Sequence, residues 1–92
     1  MNPEVEVKIS QRILRKGKRV GMFVGVKMPN GKARLGYSLC SKYDIYNQEL
    51  AMKIAISRAE SNKGWEVPSS LLVDFEYFYE RCQRYFKEDL ED

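Results

Sequence analysis

The sequence predicts one α+β domain of order βββαα: a three-stranded antiparallel meander followed by two helices packed on one of its faces. Three observations predict it. Asn30-Gly31 separates two alternating runs, Gly17-Lys18 separates two more, and after Cys40 the apolar period changes from two to three-and-four. Strands are expected at about 4–14, 19–28 and 32–40, and helices at about 44–62 and 69–90, in a single domain over 1–92.

Asn-Gly is a strong hairpin signal because both central residues of a type I′ turn need φ > 0. A two-residue loop there sets Met28 against Ala33, Val26 against Leu35, Val24 against Tyr37 and Met22 against Leu39. All eight fall on one face, as the strand period of two requires. A type II′ loop at Gly17-Lys18 sets Ile13 against Met22, Gln11 against Val24, Ile9 against Val26 and Val7 against Met28. This face, apolar but for Gln11, is the one the helices are expected to cover.

The reverse face then carries Lys8, Arg12, Arg19, Lys27, Lys32 and Arg34 beside Phe23, with Gly21, Gly25 and Gly36 between them and no acid. Glycine weakens a strand interior, so three of them on one face point to close approach of something else. A solvated face normally mixes charge signs, because opposite charges across strands stabilise and like charges do not. The expectation is an anion-binding sheet face, with a plain solvated surface as the alternative.

In the second half, Tyr46, Leu50, Ala51, Ile54, Ala55, Arg58 and Ala59 follow one helical face, with Asp44 as N-cap and Gly64 as C′ residue. Leu71, Leu72, Phe75, Phe78, Cys82, Tyr85, Phe86 and Leu90 form the stripe of a second helix, capped by Ser69 or Ser70. Trp65, in the connector, reads as a plug over the core edge. Arg58 falls on a buried stripe, where a charge needs a partner. It either snorkels to the domain edge or is aimed at a ligand, a partner chain or a carboxylate.

Composition bounds the chemistry. The chain is 43% apolar and 32% charged, within the range of globular proteins. Its net charge of +3 conceals an asymmetry. Residues 1–42 hold ten Lys or Arg against Glu4 and Glu6, whereas residues 43–92 hold six against eleven acids. There is no histidine, so Ser–His and Cys–His nucleophile pairs are excluded. Two distant cysteines make neither a disulfide framework nor a zinc site, and no nucleotide-binding glycine motif occurs. Cys40 reads as an ordinary small residue near cations, and Cys82 as an inert core thiol. The expectation is a non-enzyme with no catalytic residue, metal or cofactor. The absence of a signal-like N-terminus or an apolar run of membrane length points to a cytoplasmic protein.

Cys40, Asp44, Tyr46-Asn47, Ala51, Ile54-Ala55 and Arg58-Ala59 form a spaced pattern over residues 40–59. It resembles one seen in small uncharacterised proteins of phages and prokaryotic mobile elements. The resemblance implies origin in such an element, and with it the cytoplasm of a bacterial host cell, more than it implies an activity. "ARLGYS", residues 33–38, before an alanine-spaced helix is similar at fold level to AP2-like and integrase-arm DNA-binding domains. Those read DNA from the open face of a three-stranded sheet.

The function expected is therefore a phage-type accessory protein binding nucleic acid or another polyanion. Lys8, Arg12, Arg19, Lys27, Lys32 and Arg34 would meet phosphates, Phe23 would stack, and Gly21, Gly25 and Gly36 would admit the backbone. The alternatives are an anti-defence inhibitor or adaptor, for instance anti-CRISPR-like, that binds an acidic host protein, and a homo-oligomer around a nucleotide or phosphate ligand. No membrane partner is expected.

Overall fold

A computed structural model describes residues 4–41 and 43–91; Lys42, counted above among the bases, lies outside them. Strand β1 (Glu6–Arg15) pairs antiparallel with β2 (Lys18–Lys27), and β2 with β3 (Ala33–Leu39), in the order β1-β2-β3. Helix α1 (Gln48–Glu60) follows, then a 3₁₀ turn at Ser69–Leu71, helix α2 (Leu72–Phe86) and a second 3₁₀ turn at Lys87–Asp89. The α+β class and the βββαα order are those expected.

The packing of the helices is not. They cover opposite faces of the sheet instead of one. Met22, Val24 and Val26 of β2 pack with Ala51, Ala55, Ile56 and Ala59 of α1. Phe23 packs the other way, with Ile13, Leu35 and Tyr37, under Phe75, Phe78, Cys82 and Phe86 of α2. Because β2 is apolar or glycine from Val20 to Val26, its pattern suits burial on both faces as well as on one.

Register differs for a related reason. At the β2–β3 turn the N–H of Met28 donates to the Lys32 carbonyl (2.8 Å) and that of Gly31 to the Met28 carbonyl (2.9 Å). The loop is thus Pro29-Asn30-Gly31, with the positive φ, +85°, at Gly31 alone. In a two-residue loop Pro29 and Lys32 would exchange two hydrogen bonds, and proline, having no N–H, can make only the one in which its carbonyl accepts. Three-residue loops with glycine in the left-handed position are the next hairpin type. The pairs become Met22 with Ser38, Phe23 with Tyr37, Val24 with Gly36 and Gly25 with Leu35, one residue off the expected pairing.

The β1–β2 turn is Lys16-Gly17 and not Gly17-Lys18. Both residues have positive φ, 52° and 79°, the type I′ requirement. Arg15 then faces Lys18, and Ile13 faces Gly21 after a bulge that leaves Val20 without a register partner.

Each helix has a local cause. Asn47, not Asp44, caps α1: its Oδ1 accepts from the Leu50 N–H at 3.0 Å. The C-terminus closes with Asn62 in the left-handed region, its N–H on the Ala59 carbonyl and the Lys63 N–H on that of Arg58. This is the Schellman arrangement, with Asn where Gly64 was expected. Along α2, Phe75, Phe78, Cys82 and Phe86 are buried, while Leu72 and Tyr85 of the expected stripe lie exposed. Trp65 meets Phe75 and Tyr79 edge-on, at 5.7 and 5.0 Å, as the expected plug.

The chain's C-terminal end ties back to the free edge of β3. Leu90 bridges Ala33 in parallel, and the Glu91 N–H donates to the Ala33 carbonyl at 2.9 Å.

Candidate nucleic-acid interface

Covering both faces removes the open basic face, and most of its expected residues acquire structural duties. Phe23 is 0% exposed and stacks on Phe78 with ring centroids 5.3 Å apart. It is a core residue, not a stacking platform for a base. A Cβ on Gly36 would overlap the Ala55 carbonyl of α1, and one on Gly21 would overlap the Ser38 carbonyl. On Gly25 it would crowd Phe86, Ile9 and Cys82. These glycines do admit close approach, but by the protein's own helices and strands.

Arg34 is engaged as well. Its Nε donates to Glu91 at 2.9 Å and one terminal nitrogen to the Glu60 carbonyl at 2.7 Å. It joins β3, the end of α1 and the C-terminal residues. The Glu91 carboxyl sits below its usual pKa, chiefly through the hydrogen bond from Arg34. Arg58 lies 4.3 Å over the Tyr37 ring and donates to the Tyr37 carbonyl at 2.9 Å. Both contacts are to Tyr37 of the same chain, which supplies the half-buried charge with a partner. Lys8 pairs with Glu6 at 2.6 Å. Lys27 and Lys32 are exposed, but at the β2–β3 end of the sheet, roughly 30 Å of strand away from the β1–β2 turn.

Arg12 and Arg19 remain, and the structure gives them neighbours that the sequence reading passed over. The β1–β2 hairpin runs past β3, which ends at Leu39 opposite Gly21. On this short ribbon Arg15, Lys16 and Lys18 are exposed and Arg19 is half-buried, and Arg12, opposite Met22 just inside the three-stranded part, is exposed too. Among the described residues none of the five has an ion-pair partner, and no acid occurs between Glu6 and Asp44. Arg15 and Lys18 stand directly opposite each other. Like charges so placed destabilise a hairpin, so folding alone does not account for them. Five bases within residues 12–19, around a turn of Lys-Gly, were the signal that would have located this tip.

Arg19 leads from the tip into the body. Its guanidinium lies 5.6 Å from the centroid of the Tyr46 ring, within cation–π range. Tyr46 lines a cleft of about 390 Å³ where β3 runs into α1. The walls are Leu39, Ile45, Leu50, Ala51 and Ile54; Ser38, Ser41, Asp44 and Asn47 supply polar groups. Ser38 is only 3% exposed, and among the described residues neither its Oγ nor the Tyr46 hydroxyl has a hydrogen-bond partner. Each unsatisfied buried hydroxyl costs about 1–3 kcal/mol. A second cleft, of about 380 Å³, is lined by Arg15, Val20, Leu39, Cys40, Ser41 and Ser70. The two clefts share Leu39, Cys40 and Ser41, so the hairpin base and the α1 cleft adjoin at the end of β3.

Among the described residues, no group of three or more Cys, Asp or Glu could hold a metal ion. No described helix is long and apolar enough to cross a membrane. The Cys82 thiol is buried, and loss of solvation pushes its pKa up to about 12. Comparison with protein-family models, with curated proteins and with solved structures gave no match.

Proposed function

We propose that this protein binds nucleic acid through the tip of its β1–β2 hairpin and performs no chemistry on it. The observation that carries the reading is the exposed, like-charged cross-strand pair Arg15–Lys18, with Arg12, Lys16 and Arg19 nearby and, among the described residues, no acid paired with any of them. Such a cluster attracts a polyanion from a distance and releases its counterions on contact. The resemblance of residues 40–59 to proteins of phages and mobile elements is in keeping with an accessory role of this kind.

The test is affinity for a labelled oligonucleotide as a function of salt. Five phosphate contacts give a slope of log K against log salt of roughly −3.5 on a single strand and roughly −4.5 on a duplex. Affinity that is flat between 50 and 300 mM salt overturns the reading.

A second reading, an inhibitor that occupies a nucleic-acid-binding host protein, is favoured by the outer side of α2. There Val73 and Tyr77 are exposed one turn apart among Asp74, Glu76 and Glu80. Three carboxylates against the exposed Arg81 and Arg84 leave this side of α2 net acidic by one charge around an apolar pair, which suits a basic groove. A complex with a host protein that survives nuclease and is lost on Tyr77→Ala would favour it.

A further inference from the structure

We infer that the nucleic acid held by the hairpin is single-stranded, and that one unstacked base enters the cleft between β3 and α1. The inference rests on the hairpin reading and adds to it the class of substrate. Three observations support it.

The first is hydrogen-bonding demand. Ser38 Oγ and Tyr46 OH are buried without partners among the described residues, on two residues that line the cleft. Its apolar part is Leu39, Ile45, Leu50, Ala51 and Ile54, and its other polar residues are Ser41, Asp44 and Asn47. Apolar walls with a few unsatisfied polar groups are the usual make-up of a small-ligand site. A base has this same division, flat apolar faces and a polar edge.

The second is position. The cleft adjoins the hairpin base through Leu39, Cys40 and Ser41, and Arg19 of the hairpin sits on the ring of Tyr46. A strand with its phosphates along Arg15, Lys18 and Arg19 thus passes the cleft mouth. In a duplex the base edges are paired and stacked, out of reach of such a cleft.

The third is the means of entry. Tyr43 and Ile45, in the connection before α1, are 85% and 95% exposed, so these side chains take little part in the core. Displacing them to admit a base therefore uncovers little core, whereas α1 is held to the sheet by Ala51, Ala55 and Ala59.

The experiment compares the affinities of three labelled DNAs for the full chain: a 16-nucleotide strand of mixed sequence, an abasic strand of equal length, and the duplex. The base-bearing strand is expected to bind at least about tenfold tighter than the abasic one. It should also bind tighter than the duplex. Ser38→Ala and Tyr46→Phe, which remove only the hydroxyls, should each bring the base-bearing strand close to the abasic affinity. Their melting temperatures should be equal to or above that of the parent, since an unsatisfied group is removed. Equal binding of base-bearing and abasic strands by the parent protein overturns the cleft while leaving the hairpin reading intact. Tighter binding of the duplex does the same. No binding of any of the three overturns both.

Discussion

Gly36 of β3 lies against Ala55 of α1 so closely that a Cβ on the glycine would overlap the alanine's carbonyl oxygen. The helix can sit this near because Ala51, Ala55 and Ala59 present only methyl groups along its inner side. The contact sets the height of α1 over the sheet, and with it the depth of the cleft at the helix N-terminus. Gly36→Val should therefore destabilise the fold by about 2–3 kcal/mol, the upper part of the overpacking range. The expected fall in Tm is roughly 10–20 °C. Thermal melting followed by circular dichroism reads it; an unchanged Tm would mean that α1 does not pack there.

Phe23 separates a core role from a surface role cleanly. As a fully buried ring between Phe75 and Phe78, its truncation to alanine should cost about 3–5 kcal/mol. Urea denaturation measures this. A Phe23→Ala protein as stable as the parent would return the side chain to the surface.

The Arg34–Glu91 pair gives the fold an acid-sensitive latch. The folded carboxyl sits below the ordinary value of 4.5, so the unfolded chain takes up this proton first. The stabilisation is present above that value and is lost as the pH falls through it towards the folded pKa. Glu91→Gln should remove part of the decline of Tm with falling pH and leave the pH 6–8 region nearly flat. A variant whose acid limb matches that of the parent would show that the pair contributes nothing in solution.

The thiols should differ in reactivity. Cys82 is buried with its pKa pushed up to about 12, whereas Cys40 is half-buried at the end of β3. At pH 8 only roughly one Cys82 thiol in ten thousand is ionised, and the thiolate is the nucleophile. Iodoacetamide followed by peptide mass mapping should find Cys40 modified first. Equal labelling of both in the folded protein would contradict the packing of α2.

The element order was legible because turn residues and apolar period are local properties. Asn30-Gly31 marked a hairpin, Gly17 another, and the spacing from Tyr46 to Ala59 a helix. Register was not legible, because β2 is apolar towards both sides and either pairing gives a greasy face. Pro29 held part of the missing information: without an N–H it can make only one of the two hydrogen bonds that flank a two-residue loop. The glycines were legible as points of close approach, but not as approach by α1 and α2. Once Phe23 and the glycines are inside, the basic site contracts from a sheet face to the hairpin tip. Arg12 and Arg19 carry over, while Arg15, Lys16 and Lys18 had been counted only as charge. The unsatisfied hydroxyls of Ser38 and Tyr46 have no signature in sequence, since they exist only after α1 docks.

The location of the binding surface is tested most directly by reversing charge at either end of the sheet and measuring oligonucleotide affinity at low salt. Lys16→Glu with Lys18→Glu alters the tip; Lys27→Glu with Lys32→Glu makes the same change in net charge about 30 Å away. The tip variant should lose at least about a hundredfold in affinity and the distal variant less than about threefold, since screening confines each charge to its surroundings. Equal losses in the two variants, or a larger loss in the distal one, would contradict binding at the hairpin.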